Sequence, residues 1–188
     1  MTADFLVVLD ACVLAPAPLR DTLLRLAEEP RLYLPRWSDD IIAEMVRTLE
    51  NRFGIAPQKT AYLVDELSKH FGDAWVKGYA PFIDSMTNHP KDRHVLAAAA
   101  RCGAEVIVTY NKRHFPPEAL EPWGIEVLGP STFLRYQYDL DPAAVVDKLQ
   151  AQARNLGRSL PLQLKVLRVA VPAFVDAIAQ DLGIRIED

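Results

Sequence analysis

The sequence predicts an α/β fold: a doubly wound parallel sheet of four or five strands, flanked by helices and followed by a C-terminal helical extension. Two short apolar runs, FLVVLD at residues 5–10 and AEVIVTY at residues 104–110, are typical of fully buried parallel strands. Segments with apolar residues at helical spacing alternate with such runs as far as residue 137. This alternation is what favours a parallel sheet over an antiparallel one.

In the first part of the chain, the strand at residues 5–10 is followed by a helix over residues 19–29, where leucine recurs at helical spacing. A short strand is expected at residues 31–35. Residues 38–54 predict a helix with Ser38 as its N-cap and an apolar stripe along one face. A further helix is expected over residues 56–75, followed by a loop-rich connection.

In the second part, residues 91–103 predict an alanine-rich helix that starts just after a proline and ends at Gly103, a residue suited to a left-handed C-cap. The strand at residues 104–110 comes next, and a short strand is expected at residues 124–130. The stretch STFLRYQY then predicts a helical turn.

The strand–helix alternation stops near residue 138, and three helical segments follow: PAAVVDKLQAQARN, PLQLKVLRV and AFVDAIAQDLG. We therefore expect a domain over residues 1–137 and a helical extension over residues 138–188. The net charge of the chain is −4, yet five basic residues and no acid lie between Lys148 and Arg168. Such a run could hold the phosphates of a nucleic acid, and it is equally typical of a solvated helix face.

Composition excludes several classes of protein. The chain has no apolar run long enough to span a membrane and no signal-peptide pattern, so we expect a cytoplasmic protein that is not associated with a membrane. Its two cysteines, Cys12 and Cys102, lie in apolar settings. They are expected to be small buried hydrophobes rather than a disulfide or the ligands of a cysteine zinc site.

Acidic and amide side chains lie at or near the predicted strand ends. Asp10 closes the first strand, Asn111 follows the strand at residues 104–110, Asp92 lies in the first turn of the preceding helix, and Glu44 borders an apolar stripe. Because ligands of an open parallel sheet bind outside the carboxyl ends of its strands, these residues are expected to meet in one crevice. Three carboxylates there repel one another unless a cation neutralises them, and oxygen ligands favour Mg²⁺ or Mn²⁺ over zinc. Such an ion suits phosphodiester hydrolysis.

Each acid taken alone has a structural explanation. Asp10 could start a turn, Glu44 has a position typical of a solvated helix residue, and Asp92 complements the dipole of its helix. Thr109 could steady a water in the crevice through its hydroxyl or have no role there, and His89 belongs to no recognisable group of residues. The convergence of the acids carries the hypothesis.

Four segments resemble the PIN-domain family of metal-dependent ribonucleases, which includes the VapC-type toxins of toxin–antitoxin pairs. They are VVLDACVL, SDDIIAEMVRTL, HPKDRHVLAAAARCGAEVIVTYNKRHFP and IEVLGPSTFL, and the resemblance spans roughly residues 5–137. It implies a PIN-like fold in which Asp10, Glu44 and Asp92 bind the metal and Asn111 is the fourth, more variable catalytic position. It also implies Mg²⁺ or Mn²⁺ as the cofactor and RNA as the substrate, hydrolysed by a water that the ion activates.

Two positions depart from the pattern of similar proteins. His114 stands where an acid is common, and His89 stands where an acid often precedes the Pro-Lys-Asp run. Fewer acids near the crevice leave open whether one or two ions bind. Arg93, Lys112, Arg113 and His114 are candidates for contacts with substrate phosphate, and a solvated role is comparably typical of such cations.

Three functions can be considered for such a site. The first is a metal-dependent endoribonuclease, the toxin of a type II pair, with a cognate antitoxin protein as partner and a homodimer as a further expectation of the resemblance. The second is a PIN-like module that binds RNA or a partner without cleaving it. Asn111 suggests this function because the fourth catalytic position then carries an amide instead of an acid. The third, a phosphatase that forms a phosphorylated Asp10, fits poorly because Cys12 stands where such enzymes need a second acid.

Overall fold

The computed structural model describes residues 4–186 and contains one parallel sheet within them. Its strands are β1 (Leu6–Leu9), β2 (Leu34–Arg36), β3 (Val106–Val108) and β4 (Glu126–Leu128), hydrogen-bonded in the order β2-β1-β3-β4. In this order the chain moves from β1 to one side and then crosses to the other, so the switch point of the sheet lies between β1 and β3. Ligands of such sheets bind at the carboxyl ends of the strands at that point.

Helices surround the sheet, which confirms the predicted α/β class. They are α1 (Ala11–Leu14), α2 (Ala17–Ala27), α3 (Asp39–Asn51), α4 (Pro57–His70), α5 (Arg93–Cys102), α6 (Pro117–Leu120), α7 (Pro130–Leu140), α8 (Pro142–Asn155), α9 (Leu160–Arg168) and α10 (Pro172–Asp181). Short 3₁₀ helices lie at Gly72–Ala74, Ala80–Ser85, Pro90–Asp92, Lys112–His114 and Glu121–Trp123. None of the helices in residues 4–186 combines the length and apolar character needed to cross a lipid bilayer.

Two predicted helix ends are confirmed in detail. The Ser38 hydroxyl accepts a hydrogen bond of 3.2 Å from the backbone N–H of Ile41, which satisfies one of the free donors at the start of α3. Gly103 ends α5 with φ of +69°, the left-handed conformation that glycine adopts without a steric penalty.

Other boundaries differ from the predictions. The helix expected to reach residue 75 ends at His70, because Phe71 leaves the helical region and a 3₁₀ helix follows. The helix expected from residue 91 begins at Arg93, and Asp92 is its N-cap rather than a first-turn residue. The predicted helical turn at STFLRYQY is part of a full helix, α7, which starts at Pro130.

The core of the sheet is apolar on its two central strands. Val7, Val8 and Leu9 of β1 and Ile107 and Val108 of β3 are fully buried. Helix α5 contacts both strands, and its buried alanines allow a close approach between helix and sheet. The central strands are thus held rigidly, and whatever follows their carboxyl ends is fixed in position.

The C-terminal helices pack on the sheet domain through α2 and α7. Helix α8 contacts both of these helices, and the buried Gln152 accepts a hydrogen bond of 2.9 Å from the Thr22 hydroxyl while its amide donates to the carbonyl of Pro18. The predicted division between residues 137 and 138 falls inside α7. The division into two domains stays a prediction.

Candidate active site

Asp10 lies at the switch point of the sheet. Its backbone N–H donates to the carbonyl of Val108, so the pairing of β1 with β3 continues to the residue that follows β1. The Asp10 side chain is 3 % exposed, and the hydroxyl of Thr109 donates to its Oδ2 at 2.6 Å. The two adjacent strand ends therefore fix this carboxylate, and the Thr109 hydroxyl donates to Asp10.

Cys12 also belongs to this group, and its assignment as a small buried hydrophobe was wrong. The residue is half-buried, its thiol donates to Asp10 Oδ2 at 3.2 Å, and its sulfur accepts the backbone N–H of Tyr110. Burial raises the pKa of Cys12 to about 12, and the negative charge of Asp10 contributes. The sulfur therefore stays a thiol and acts as a second donor to the carboxylate.

Asp92 lies at the start of α5 and is 5 % exposed. Its Oδ2 is 2.5 Å from Nδ1 of His114, whose side chain is 18 % exposed. His114 could therefore contact a substrate phosphate through Nδ1 only by giving up its bond to Asp92. Asn88 supports the same turn, since its amide donates to the backbone carbonyl of Asp92.

Glu44 extends from α3 toward the two aspartates. Its side chain is 42 % exposed, and Oε2 lies 3.6 Å from Nε2 of His94. Burial raises the pKa of Glu44, and the charges of Asp10 and Asp92 raise it further, whereas His94 opposes them. Burial likewise raises the pKa of Asp10, to which Asp92 adds. The three carboxylates therefore lie within electrostatic range of one another.

An open cleft of about 520 Å³ lies beside these carboxylates. Glu44, Asn111, Tyr110 and Phe53 line it, together with Val169 from the turn between α9 and α10. The Tyr110 hydroxyl donates to a backbone carbonyl in that turn at 2.9 Å. The C-terminal extension thus forms one wall of the cleft, a role that no motif in the sequence signals because the contact is made by a backbone atom.

No family model matches the chain. A segment of 67 residues is 57 % identical to a protein of Mycobacterium tuberculosis strain H37Rv named "Putative ribonuclease VapC50". The four-stranded parallel sheet and this similarity both indicate the same fold. The fold is PIN-like. The resemblance to VapC-type PIN proteins is confirmed over the matched segment, which covers 36 % of this chain and 40 % of that protein.

The basic side chains considered for contacts with phosphate differ in whether they are free to make such contacts. Lys112 and Arg113 are exposed, and within residues 4–186 neither is in an ion pair. Arg93 is half-buried, and its Nε donates to a backbone carbonyl at 3.4 Å. In the C-terminal basic run, Lys148 bonds to backbone carbonyls and Arg168 pairs with an aspartate. Some of the basic residues of this run therefore make contacts within the protein.

The only set of three metal-ligand side chains that the described residues bring within 4.8 Å of one another is His89, Asp92 and His114. The prediction that His89 belongs to no group of residues was therefore wrong. His89 and His114 both stand at positions that are commonly acidic in similar proteins, and this shared feature could have revealed the set. The oxygens of Asp10, Glu44 and Asp92 do not all approach this closely. Because the Glu44 side chain is partly exposed, a change of rotamer could bring its carboxylate nearer.

Proposed function

We propose that the chain is a metal-dependent endoribonuclease that hydrolyses phosphodiester bonds of RNA. The observation that carries the proposal is the crowding of Asp10, Glu44 and Asp92 at the switch point of the sheet, where burial and mutual repulsion raise the pKa of Asp10 and of Glu44. A divalent cation relieves such repulsion, and carboxylate oxygens suit Mg²⁺ or Mn²⁺. The name of the similar mycobacterial protein supports the same activity.

The acids, Thr109 and Asn111 would each have a distinct role in this reaction. Asp10, Glu44 and Asp92 would hold the cation, which when bound supplies Lewis acidity to a phosphoryl oxygen and to the attacking water. Thr109 keeps Asp10 in one orientation through its 2.6 Å hydrogen bond. Asn111 lines the cleft beside Glu44, where its amide could orient a water or a ligand carboxylate without adding negative charge.

Cleavage assays with Asp10→Asn test this proposal. The substitution preserves side-chain shape but removes the charge, so we expect a loss of about 100-fold or more in the cleavage rate of a labelled single-stranded RNA, as is typical when a key electrostatic group is removed. Asp84→Asn is the matched control, because Asp84 is exposed in the 3₁₀ helix at Ala80–Ser85. Full activity of Asp10→Asn, or cleavage that persists in EDTA, would overturn the proposal.

Contacts with RNA phosphates are proposed for Lys112 and Arg113, with Arg93 and His114 as further candidates. Replacing Lys112 and Arg113 together by alanine should weaken RNA binding and reduce the slope of log K against log salt by about 1.4, since each phosphate contact contributes about 0.7 on a single strand. Binding is measured in the Asp10→Asn background to prevent cleavage. An unchanged slope would remove both residues from the interface.

We further propose that the ribonuclease is the toxin of a type II toxin–antitoxin pair. A cognate antitoxin would cover the acidic cleft, most directly by presenting an arginine to the carboxylates. Expression of the chain alone should arrest growth, and co-expression of the neighbouring gene's product should relieve the arrest. Normal growth would count against the toxin role and leave the nuclease role to be decided by cleavage. Light scattering in solution tests the proposed homodimer.

Binding of RNA without cleavage is the second candidate function. The amide at position 111 is the observation that favours it, because an acid at that position would add a further oxygen ligand of negative charge. Tight binding of RNA by the unmodified chain, with no cleavage in Mg²⁺ or Mn²⁺, would establish it.

A further inference from the structure

Two histidines and one aspartate form a compact group beside the carboxylates described above. His89, Asp92 and His114 each offer one ligand atom, and these atoms lie within 4.8 Å of one another. The two imidazole rings are stacked, with centroids 4.1 Å apart and planes inclined by 15°. Nδ1 of His114 is 2.5 Å from Oδ2 of Asp92.

The backbone holds this group in place before any ligand binds. The N–H of His89 donates to the carbonyl of His114 at 3.0 Å, and the N–H of Asp92 donates to the carbonyl of His89 at 2.9 Å. The N–H of His114 in turn donates to the carbonyl of Asn111 at 2.8 Å. Two separate turns are thus tied to each other, and a ligand that binds all three side chains orders little additional chain.

The histidine rings have nitrogens to offer. Nδ1 of His89 accepts a long hydrogen bond of 3.3 Å from the N–H of Lys91, so its lone pair is on Nδ1, where an ion would replace this weak bond. His89 is exposed, whereas Asp92 is buried and His114 is partly buried. The group therefore has an open side through which an ion can enter and a buried side that fixes the ligands.

We propose that His89, Asp92 and His114 form a binding site for a late first-row transition-metal ion of the Zn²⁺ class. Two imidazoles and one carboxylate are a ligand set that zinc accepts with further positions left open, whereas Mg²⁺ is bound mainly by oxygen. Zinc bonds of about 2.0–2.1 Å place tetrahedral ligand atoms about 3.4 Å apart. Nδ1 of His114 and Oδ2 of Asp92, which are 2.5 Å apart, must therefore separate, or the ion must bind Nε2 of His114 instead. The two stacked rings must also turn, because an ion lies in the plane of each imidazole that binds it. The exposed His89 can make that adjustment.

The site shares Asp92 with the set proposed to hold Mg²⁺ or Mn²⁺, but it requires no ribonuclease activity. Its selectivity comes from nitrogen ligands at two positions where similar proteins commonly carry acids. The two proposals therefore fail independently: loss of Asp10 abolishes the oxygen set and leaves all three members of the histidine set.

Metal binding to the full chain, stripped of metal, tests the site directly. Zn²⁺ is titrated calorimetrically, and Co²⁺ serves as a spectroscopic probe because imidazole ligation in a four-coordinate site gives visible absorption. We expect one equivalent of Zn²⁺ to bind to the unmodified chain, and an equal concentration of Mg²⁺ should not displace it. The affinity for Zn²⁺ should fall about tenfold or more in His89→Gln and in His114→Gln. Circular dichroism establishes that each variant is folded, and the exposed position of His89 makes His89→Gln the safer of the two.

Two further variants complete the design. His70→Gln is the matched control, because His70 is exposed on α4 and pairs only with Glu66 among the described acids, so the affinity for Zn²⁺ should not change. Asp10→Asn should also bind Zn²⁺ as the unmodified chain does. Equal affinity of His89→Gln and the unmodified chain would overturn the site, as would affinity that falls in Asp10→Asn but not in the two histidine variants.

Discussion

Removing the Gln152 side chain should destabilise the whole protein rather than the C-terminal helices alone. Gln152 is fully buried on α8, accepts from the Thr22 hydroxyl and donates to the carbonyl of Pro18. The variant Gln152→Ala loses both hydrogen bonds, each worth about 1 kcal/mol, and about 1 kcal/mol of apolar burial. The Thr22 hydroxyl keeps its bond to Pro18, so no donor is left unpaired. The expected loss in the free energy of unfolding is about 3 kcal/mol.

Urea and thermal unfolding, followed by circular dichroism, provide the measurement. For a chain of this length, about 3 kcal/mol corresponds to a decrease in Tm of roughly 6–12 °C. Gln180→Ala is the matched control, since Gln180 is exposed on α10 and its loss should change stability by less than about 0.5 kcal/mol. Both variants should unfold in a single transition if the extension and the sheet domain are one cooperative unit.

Two outcomes would refute this reasoning. A loss below about 1 kcal/mol for Gln152→Ala would mean that the buried hydrogen bonds add little to the packing of α8 on α2. Unfolding in two steps, with only the first affected by the substitution, would mean that the extension folds independently, as a strict division after residue 137 implies.

Three further substitutions should lower the midpoint of urea unfolding by predictable amounts. Ser38→Ala removes the hydroxyl that accepts from Ile41 N–H and should cost about 1 kcal/mol; an unchanged midpoint would show that the cap adds nothing. Gly103→Ala forces a side chain into a left-handed conformation and should cost about 1 kcal/mol, whereas Gly72→Ala, where φ is not positive and space is open, should cost less. Equal losses would exclude backbone strain as the cause. Tyr33→Phe removes the buried hydroxyl that donates to the carbonyl of Leu23 and should cost about 1 kcal/mol, and a neutral result would mean that this hydrogen bond adds nothing to stability.

The order of strands and helices could be predicted because it depends on local patterns. Apolar runs of strand length, alanine-rich helical spacing and a terminal glycine each act over a few residues, and all of them favour the same α/β arrangement. Asp10 was placed correctly at a strand end by the same logic. Helix α7 was underestimated because its aromatic residues have weak helix propensity, and packing against α8 and α10 decides its length.

The polar contacts of the candidate site could not be predicted in the same way. Cys12 meets Thr109 across a sequence separation of 97 residues, and His89 meets His114 only because two turns are joined by a backbone hydrogen bond. Single-residue propensities contain no information on such pairs. The signal that the sequence does contain is that both histidines stand at positions that are commonly acidic in similar proteins.

The hydrogen bond from Tyr110 to the turn between α9 and α10 makes the shape of the cleft depend on chain that lies far along the sequence. The variant Tyr110→Phe would keep every predicted metal ligand and the packing of α8 on α2, and yet release the wall that Val169 provides. Its substrate range should then widen, because bulky or structured RNA that the wall excludes could reach the carboxylates. Comparing the lengths and structures of RNA accepted by the unmodified chain and by Tyr110→Phe would therefore reveal the C-terminal helices as a selectivity element, separate from their contribution to stability.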